Sequence, residues 1–254
     1  MAILDKFNMS GKVACVTGAG QGLGKISAIG LAEAGADIVI ADINMESAQK
    51  AVDEITALGV KSIAVETDVA SQDSVNALME KIVSEFGTID VMFNNAGIAE
   101  GGNAEEMSLE VWKRTIDVNL TGVFICAQAA GKIMIEKKKG SIINMASMSG
   151  KIINDTHNVC NYHAAKNGVV ALTRAMAVEW APRNVRVNAI SPGYHKSEMA
   201  MQFESLFEQW IPNIPMGRLA EVEEMQGLVL FLASDASTYM TGADLITDGG
   251  YTLW

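Results

Sequence analysis

The chain has 254 residues, 49% of them hydrophobic and 19% charged, enough for a full core and a fit to one large α/β domain or two small ones. Its formal net charge of −11 argues against nucleic acid or an anionic lipid surface as a partner, since both are polyanions. No run of roughly 18 or more apolar residues suggests a membrane span, the start MAILDKFNMSGK lacks signal-peptide regions, and the scattered Cys15, Cys126 and Cys160 suit free thiols in a reducing cytoplasm.

The first predicted strand, KVACVTG, runs into the turn TGAGQGLG, Thr17 to Gly24, and then into the helix pattern LGKISAIGLAEAG. Glycines in such a turn let the backbone approach a pyrophosphate, and the helix N-terminus adds unpaired amides and partial positive charge. The spacing is not G-x-G-x-x-G, so the reading rests on the turn's place between the first strand and the first helix. Gly18, Gln21, Gly22, Leu23 and Gly24 are the expected contacts. The second strand, ADIVIAD, ends at Asp42, whose carboxylate can accept both hydroxyls of an adenosine ribose. It would repel a 2′-phosphate of about −1.5 to −2 charge. No arginine or lysine stands at Gln21 or Ile43 to offset that repulsion, so NAD is expected rather than NADP.

Next, SAQKAVDEITALG and SVNALMEKIVSEFG show apolar residues at three- and four-residue intervals with a terminal glycine, the pattern of helices. The runs KSIAVETDV, TIDVMFNNAG, GSIINMAS, VRVNAISPG and ADLITDGG are mostly apolar throughout, as in strands covered on both faces. The alternation predicts a single doubly wound α/β domain over residues 1–254, with a seven-stranded parallel sheet. Two long irregular stretches, about 148–160 and 194–216, follow strands and so belong at the sheet's carboxyl edge, where ligands bind in this architecture. The run Lys137–Lys139 before Gly140 reads as a solvated helix end. In NYHAAK, Tyr162 and Lys166 stand one helical turn apart and share a face.

Four motifs then occur in order: TG-x3-G-x-G at Thr17–Gly24, NNAG at Asn94–Gly97, Y-x3-K at Tyr162–Lys166, and PG at Pro192–Gly193. With these the chain resembles the short-chain dehydrogenase/reductase family over essentially its whole length. The resemblance implies a catalytic set of Asn119, Ser147, Tyr162 and Lys166. Tyr162 would exchange the proton with the substrate oxygen, and Lys166 would hold the nicotinamide ribose and lower the phenol pKa. Ser147 would polarise the carbonyl, and Asn119 would support a water chain to Lys166. Asp68 and Val69 match an adenine-contacting pair, Asn95 a backbone contact, and Pro192, Gly193, His195 and Ser197 the segment that holds the nicotinamide carboxamide; Asn94 reads as structural. The family usually carries Ile or Val at His195 and Thr at Ser197. His195 would contact cofactor through its backbone or reach substrate with its ring. A homotetramer is implied, through helices at about 119–138 and 161–181.

Physical chemistry supports the pairing. Bringing a phenol from about 10 to about 7 takes roughly 4 kcal/mol, at about 1.36 kcal/mol per unit. A neighbouring ammonium and an oxidised nicotinamide are plausible sources. A metal site from His157, Cys160 and His163 lacks a fourth ligand, and Cys160 lacks a base for nucleophilic work. Met199, Met201, Phe203, Phe207 and Trp210 read equally as a substrate lid, at about 194–216, or as core. The loop between Ser147 and Tyr162, with Asn154, Asp155, Thr156, His157 and Asn158, is similar to that of polyol dehydrogenases and suits a hydroxylated substrate. NAD-linked interconversion of a polyol and a ketose is therefore expected. A 3-oxoacyl carrier-protein reductase is the runner-up, set back by the repulsion between two acidic proteins, and a steroid or cyclic alcohol is third. A dinucleotide-sensing regulator without turnover would be expected to lack Tyr162, Lys166 or Ser147.

Overall fold

A computed structural model describes residues 2–154 and 158–253. Seven parallel strands form one sheet in the order β3-β2-β1-β4-β5-β6-β7. They are β1 Val13–Thr17, β2 Asp37–Asp42, β3 Ser62–Glu66, β4 Val91–Asn94, β5 Gly140–Met145, β6 Val185–Pro192 and β7 Asp244–Thr247. The order reverses between β1 and β4, which opens a crevice beyond their carboxyl ends. The central strands β1 and β4 are buried throughout, as their unbroken apolar runs require, whereas the edge strands β3 and β7 are partly exposed.

Helices cover both faces. On one side α1 (Gly22–Glu33), α2 (Met45–Thr56) and the later α9 (Gln226–Ala233) bury Ala28, Leu31, Ile55, Val229 and Leu232 against the sheet. On the other, α3 (Gln72–Phe86), α5 (Gly122–Lys137) and α6 (Cys160–Trp180) bury Leu78, Ile82, Met134, Met176 and Trp180. Local chemistry sets the ends. Asn44 caps α2 by accepting from the Glu46 and Ser47 amides, Ser71 caps α3, and Gly87 closes α3 at φ 73. The lysine run does mark a helix end: α5 stops at Lys137 and Lys138 turns left-handed.

Helix α4 (Leu109–Ile116) continues into α5 through a π turn, Asp117–Thr121, so that one helix runs from Leu109 to Lys137. By length and composition alone it is long and apolar enough to cross a membrane, and 56% of its apolar window is buried in the fold. Packing against β4, β5 and α3 accounts for that apolar face. The segment 194–216 is a chain of short turns that includes α7 (Glu198–Met201) and α8 (Phe207–Trp210). Asp155, Thr156 and His157 lie outside the described residues.

Candidate active site

A cleft of about 1190 Å³ lies over the β1/β4 crossover. Gly18, Gln21, Gly22, Leu23, Asp42, Asp68, Val69 and Asn95 line one arm, and Ser147, Tyr162, Lys166, Pro192, Gly193, His195 and Ser197 the other. The fold thus gathers two groups that the sequence holds far apart.

The glycine turn is built for close approach. Gly18 sits at φ 61, and an added Cβ would lie 2.8 Å from the Ala96 backbone. Asn95 clamps the turn, donating from Nδ2 to the Thr17 and Gly18 carbonyls at 2.9 and 3.0 Å. The Asp42 carboxylate accepts from the Gly20 amide at 2.8 Å through Oδ2 and from the Asn44 amide at 2.9 Å through Oδ1. It is therefore held at the strand tip, where the residue lines the cleft. Gly24 departs from expectation. It is buried and does not line the cleft, and a Cβ there would meet Asn95 Nδ2 and the Gly18 carbonyl. Its small size serves the packing of α1 on the turn. Asn94 is structural as read: buried, it donates to Asn144 at 2.8 Å.

At the other arm, Ser147 follows β5 and Tyr162 and Lys166 share a face of α6. The Lys166 ammonium lies 5.5 Å from the centre of the Tyr162 ring and donates to the Met145 carbonyl at 2.8 Å. Burial lowers the Lys166 pKa to about 8. Burial also raises the phenol of Tyr162, and a hydrogen bond with Ser147 pulls it part of the way back. Within the protein the net shift of the phenol is therefore upward, and Lys166 is not among its causes.

Asn119 is wholly buried in the π turn and does not line the cleft. Its amide bridges the Ile98 backbone, accepting from N at 3.0 Å and donating to O at 2.8 Å. Gly97 lies between Asn119 and Lys166: a Cβ there would be 2.6 Å from Asn119 Oδ1 and 3.6 Å from Lys166 Nζ. His195 lines the cleft and is 3% exposed. The ring is buried, Nδ1 lies 3.2 Å from the Gly193 carbonyl, burial lowers its pKa, and Glu224 partly offsets that. Its backbone pairs with Ala220. The Ser197 hydroxyl caps α7.

Sequence reasoning missed a polar wall on the cleft. The Ser149 hydroxyl donates to Asn154 Oδ1 at 2.5 Å, and Asn154 Nδ2 donates to the Tyr194 hydroxyl at 3.0 Å. The Tyr194 ring stacks on Trp210 at 3.9 Å between centroids and meets Tyr251 edge-on at 5.3 Å. His163 donates from Nδ1 to the Ser149 carbonyl at 2.7 Å, and Lys151 pairs with Asp244 at 3.2 Å, so the segment bearing Ser149 is fixed at both ends. Met148, Val159, Met199 and Phe203 supply an apolar side. Only the polar character of Asn154 was visible beforehand. Of the aromatic and methionine group, Trp210 is core-like and buried, while Met199 and Met201 are exposed. Among the described residues no cluster of three metal-ligating side chains occurs, and the His157 of the considered triad lies outside them. Cys15 and Cys126 are buried thiols raised by burial, Cys126 to about 12, and Cys160 is exposed.

A family profile described as enoyl-(acyl carrier protein) reductase matches residues 18–252. The chain is 43% identical to a cyclohexanol dehydrogenase of Acinetobacter sp. (strain SE19), over 98% of this chain and 97% of that one. It is 38% identical to a galactitol 2-dehydrogenase (L-tagatose-forming) of Cereibacter sphaeroides, over 98% of each. Among solved structures, a short-chain type dehydrogenase/reductase from Mycobacterium marinum superposes with a TM-score of 0.97 at 44% identity, covering 99% of both chains.

Proposed function

The chain belongs to the short-chain dehydrogenase/reductase family, and on that premise we propose that it is an NAD-dependent oxidoreductase interconverting a secondary alcohol and a ketone, with a polyol and its ketose as substrates. The observation that carries the substrate class is the wall of Ser149, Asn154 and Tyr194, which offers hydrogen bonds to hydroxyls beside the reacting carbon.

The cleft fits a nicotinamide dinucleotide. Gly18 and Gly22, at φ 61 and 59, present the amino end of α1 to a diphosphate, and Asp42 stands where it would receive the adenosine ribose. Gln21, Leu23, Asp68, Val69 and Asn95 line the same arm, and Pro192, Gly193, His195 and Ser197 would hold the nicotinamide end. The absence of a basic residue at Gln21 and Ile43 favours NAD. A bound nicotinamide supplies the acceptor or donor of hydride. Tyr162 takes the alcohol proton in oxidation and returns it in reduction. Ser147 steadies the substrate oxygen through its hydroxyl and lowers the phenol pKa. Lys166 keeps a buried positive charge beside the phenol and would hold the ribose. Asn119 fixes the Ile98 backbone and would order a proton path to Lys166.

The exposed Leu109, Trp112 and Phe124 on the long helix and Val178 on α6 favour a homotetramer through these helices, and the free thiols suit a cytoplasmic setting. The turns at 194–216 serve as the substrate lid, anchored at Trp210. A relative 40% identical and described as a 3-oxoacyl-[acyl-carrier-protein] reductase favours a second reading, reduction of a 3-oxoacyl carrier protein. The charge of −11 opposes docking of an acidic carrier.

The test is NADH formation from NAD with polyols, cyclohexanol and an acyl carrier substrate, beside Tyr162→Phe. Turnover of polyols with at least a 100-fold loss in the variant is expected, as for removal of a general acid–base. Full activity in Tyr162→Phe, or turnover of the acyl carrier substrate alone, would refute the reading.

A further inference from the structure

Glu198 opens α7, across the cleft from the glycine turn. A Cβ added to Gly22, the first residue of α1, would lie 3.0 Å from Glu198 Oε2. Both residues line the cleft. Helix α1 has no acidic residue in its own first turn, and its N-cap, Gln21, makes no side-chain cap hydrogen bond. The carboxylate set against its amino end therefore comes from the opposite wall. The neighbouring cations are engaged elsewhere, Lys25 with Glu54 and Lys196 with Glu221. Among the described residues Glu198 forms no ion pair.

A diphosphate is drawn to that same helix terminus by its free amides and partial positive charge. Two anions at one terminus repel, so the carboxylate has to move aside or weaken the hold. We propose that Glu198 competes with the cofactor's diphosphate for the amino end of α1, and so sets how tightly the cofactor is held and how fast it leaves. The proposal rests on the assignment of the glycine turn as the cofactor site. The mechanics permit it. Helix α7 is four residues long, and its Ser197 cap is a long hydrogen bond of 3.4 Å that a small rotation breaks. Because cofactor release limits many enzymes of this kind, a repulsive carboxylate at the exit would raise turnover while loosening binding.

Glu198 is exposed, so the repulsion is damped by solvent, and the expected effect is about 3- to 10-fold in Kd, or about 0.7 to 1.4 kcal/mol. The experiment titrates wild type and Glu198→Gln with NADH, ADP and adenosine at about 0.05 and about 0.5 M salt, where screening is weak and strong. NADH and ADP are expected to bind the variant about 3- to 10-fold tighter at low salt, with the gap narrowing at high salt. Adenosine, which lacks phosphate, is expected to bind both proteins alike. Equal or weaker binding of NADH and ADP by the variant, a gap indifferent to salt, or the same gain for adenosine would overturn the proposal alone. If wild type binds neither NADH nor ADP, the cofactor assignment falls with it.

Discussion

Lys166 provides a measurable signature of its burial. The residue is 2% exposed, and its pKa stands at about 8 against 10.5 for a free lysine. The charged form is therefore penalised in the folded chain. Between pH 8 and 10.5 the unfolded state binds more protons at this site than the native state, so the site's contribution makes stability rise with pH. Below pH 8 both states are protonated and the penalty is fully present. The gap of 2.5 units (10.5 − 8) corresponds to about 3 kcal/mol in total. Integrating the linkage relation gives a gain of about 1 kcal/mol by pH 9 and about 2 to 3 kcal/mol by pH 10. Other lysines titrate alike in wild type and in Lys166→Met, so the difference between the two isolates this group. The assay is urea unfolding of both at equal protein concentration from pH 7 to 10. Wild type is expected to gain on the variant by the stated amounts, although the variant loses activity throughout. A difference that stays flat with pH, or moves the other way, would mean that Lys166 titrates as a solvated lysine and cannot hold a buried charge beside Tyr162.

Asp42→Ala removes a carboxylate that accepts from two backbone amides and would accept from a ribose; the NAD to NADP ratio of kcat/KM is expected to fall about 10- to 100-fold, at about 1.5 to 3 kcal/mol for hydrogen bonds to a charged group. A ratio that does not change would remove the ribose assignment. Gly18→Ala combines a left-handed backbone with a Cβ 2.8 Å from Ala96, so a loss of about 2 to 4 kcal/mol in unfolding free energy and much weaker NADH binding are expected. A variant with wild-type melting temperature and affinity would contradict that packing. Asn154→Leu removes the side-chain hydrogen bonds to Ser149 and Tyr194, and kcat/KM for polyols is expected to drop about 10-fold or more while that for cyclohexanol stays within about twofold. Equal losses on both substrates would show that the wall only supports the fold.

Much of the fold was legible because its determinants are local. Apolar runs of strand length, helical periodicity and the glycine turn each act over a few residues, and the structure repeats them as β1, α1 and β2 in that order. Tyr162 and Lys166 were legible for the same reason, one helical turn holding both. What stayed hidden depends on contacts across the chain. The hydroxyl wall joins Asn154 to Tyr194 from different strand ends, and neither residue's local pattern announces the other. The π turn at Asp117–Thr121 leaves no mark in DVNLT, since widening one helical turn changes hydrogen-bond spacing and not composition. Gly24 reads like its neighbours in the turn, yet only the approach of Asn95 shows that it serves packing.

The phenol's acidity shows the same division between local and distant causes. Sequence spacing places a cation near Tyr162, but spacing says nothing of the medium between them. Burial of both groups raises the phenol and lowers the ammonium, so each partner is less ionised than the pair suggests. The opposing contribution within the protein is the Ser147 hydrogen bond, and the nearby Lys166 is mostly protonated at pH 7 with a pKa of about 8. A dry pocket makes any further positive charge act more strongly than it would in water. Under the proposed function, the proton would leave Tyr162 readily only when a cationic ring stands beside it. That would couple acid–base work to cofactor occupancy, and tie the reactivity of α6 to the hold of the glycine turn on the other end of the dinucleotide.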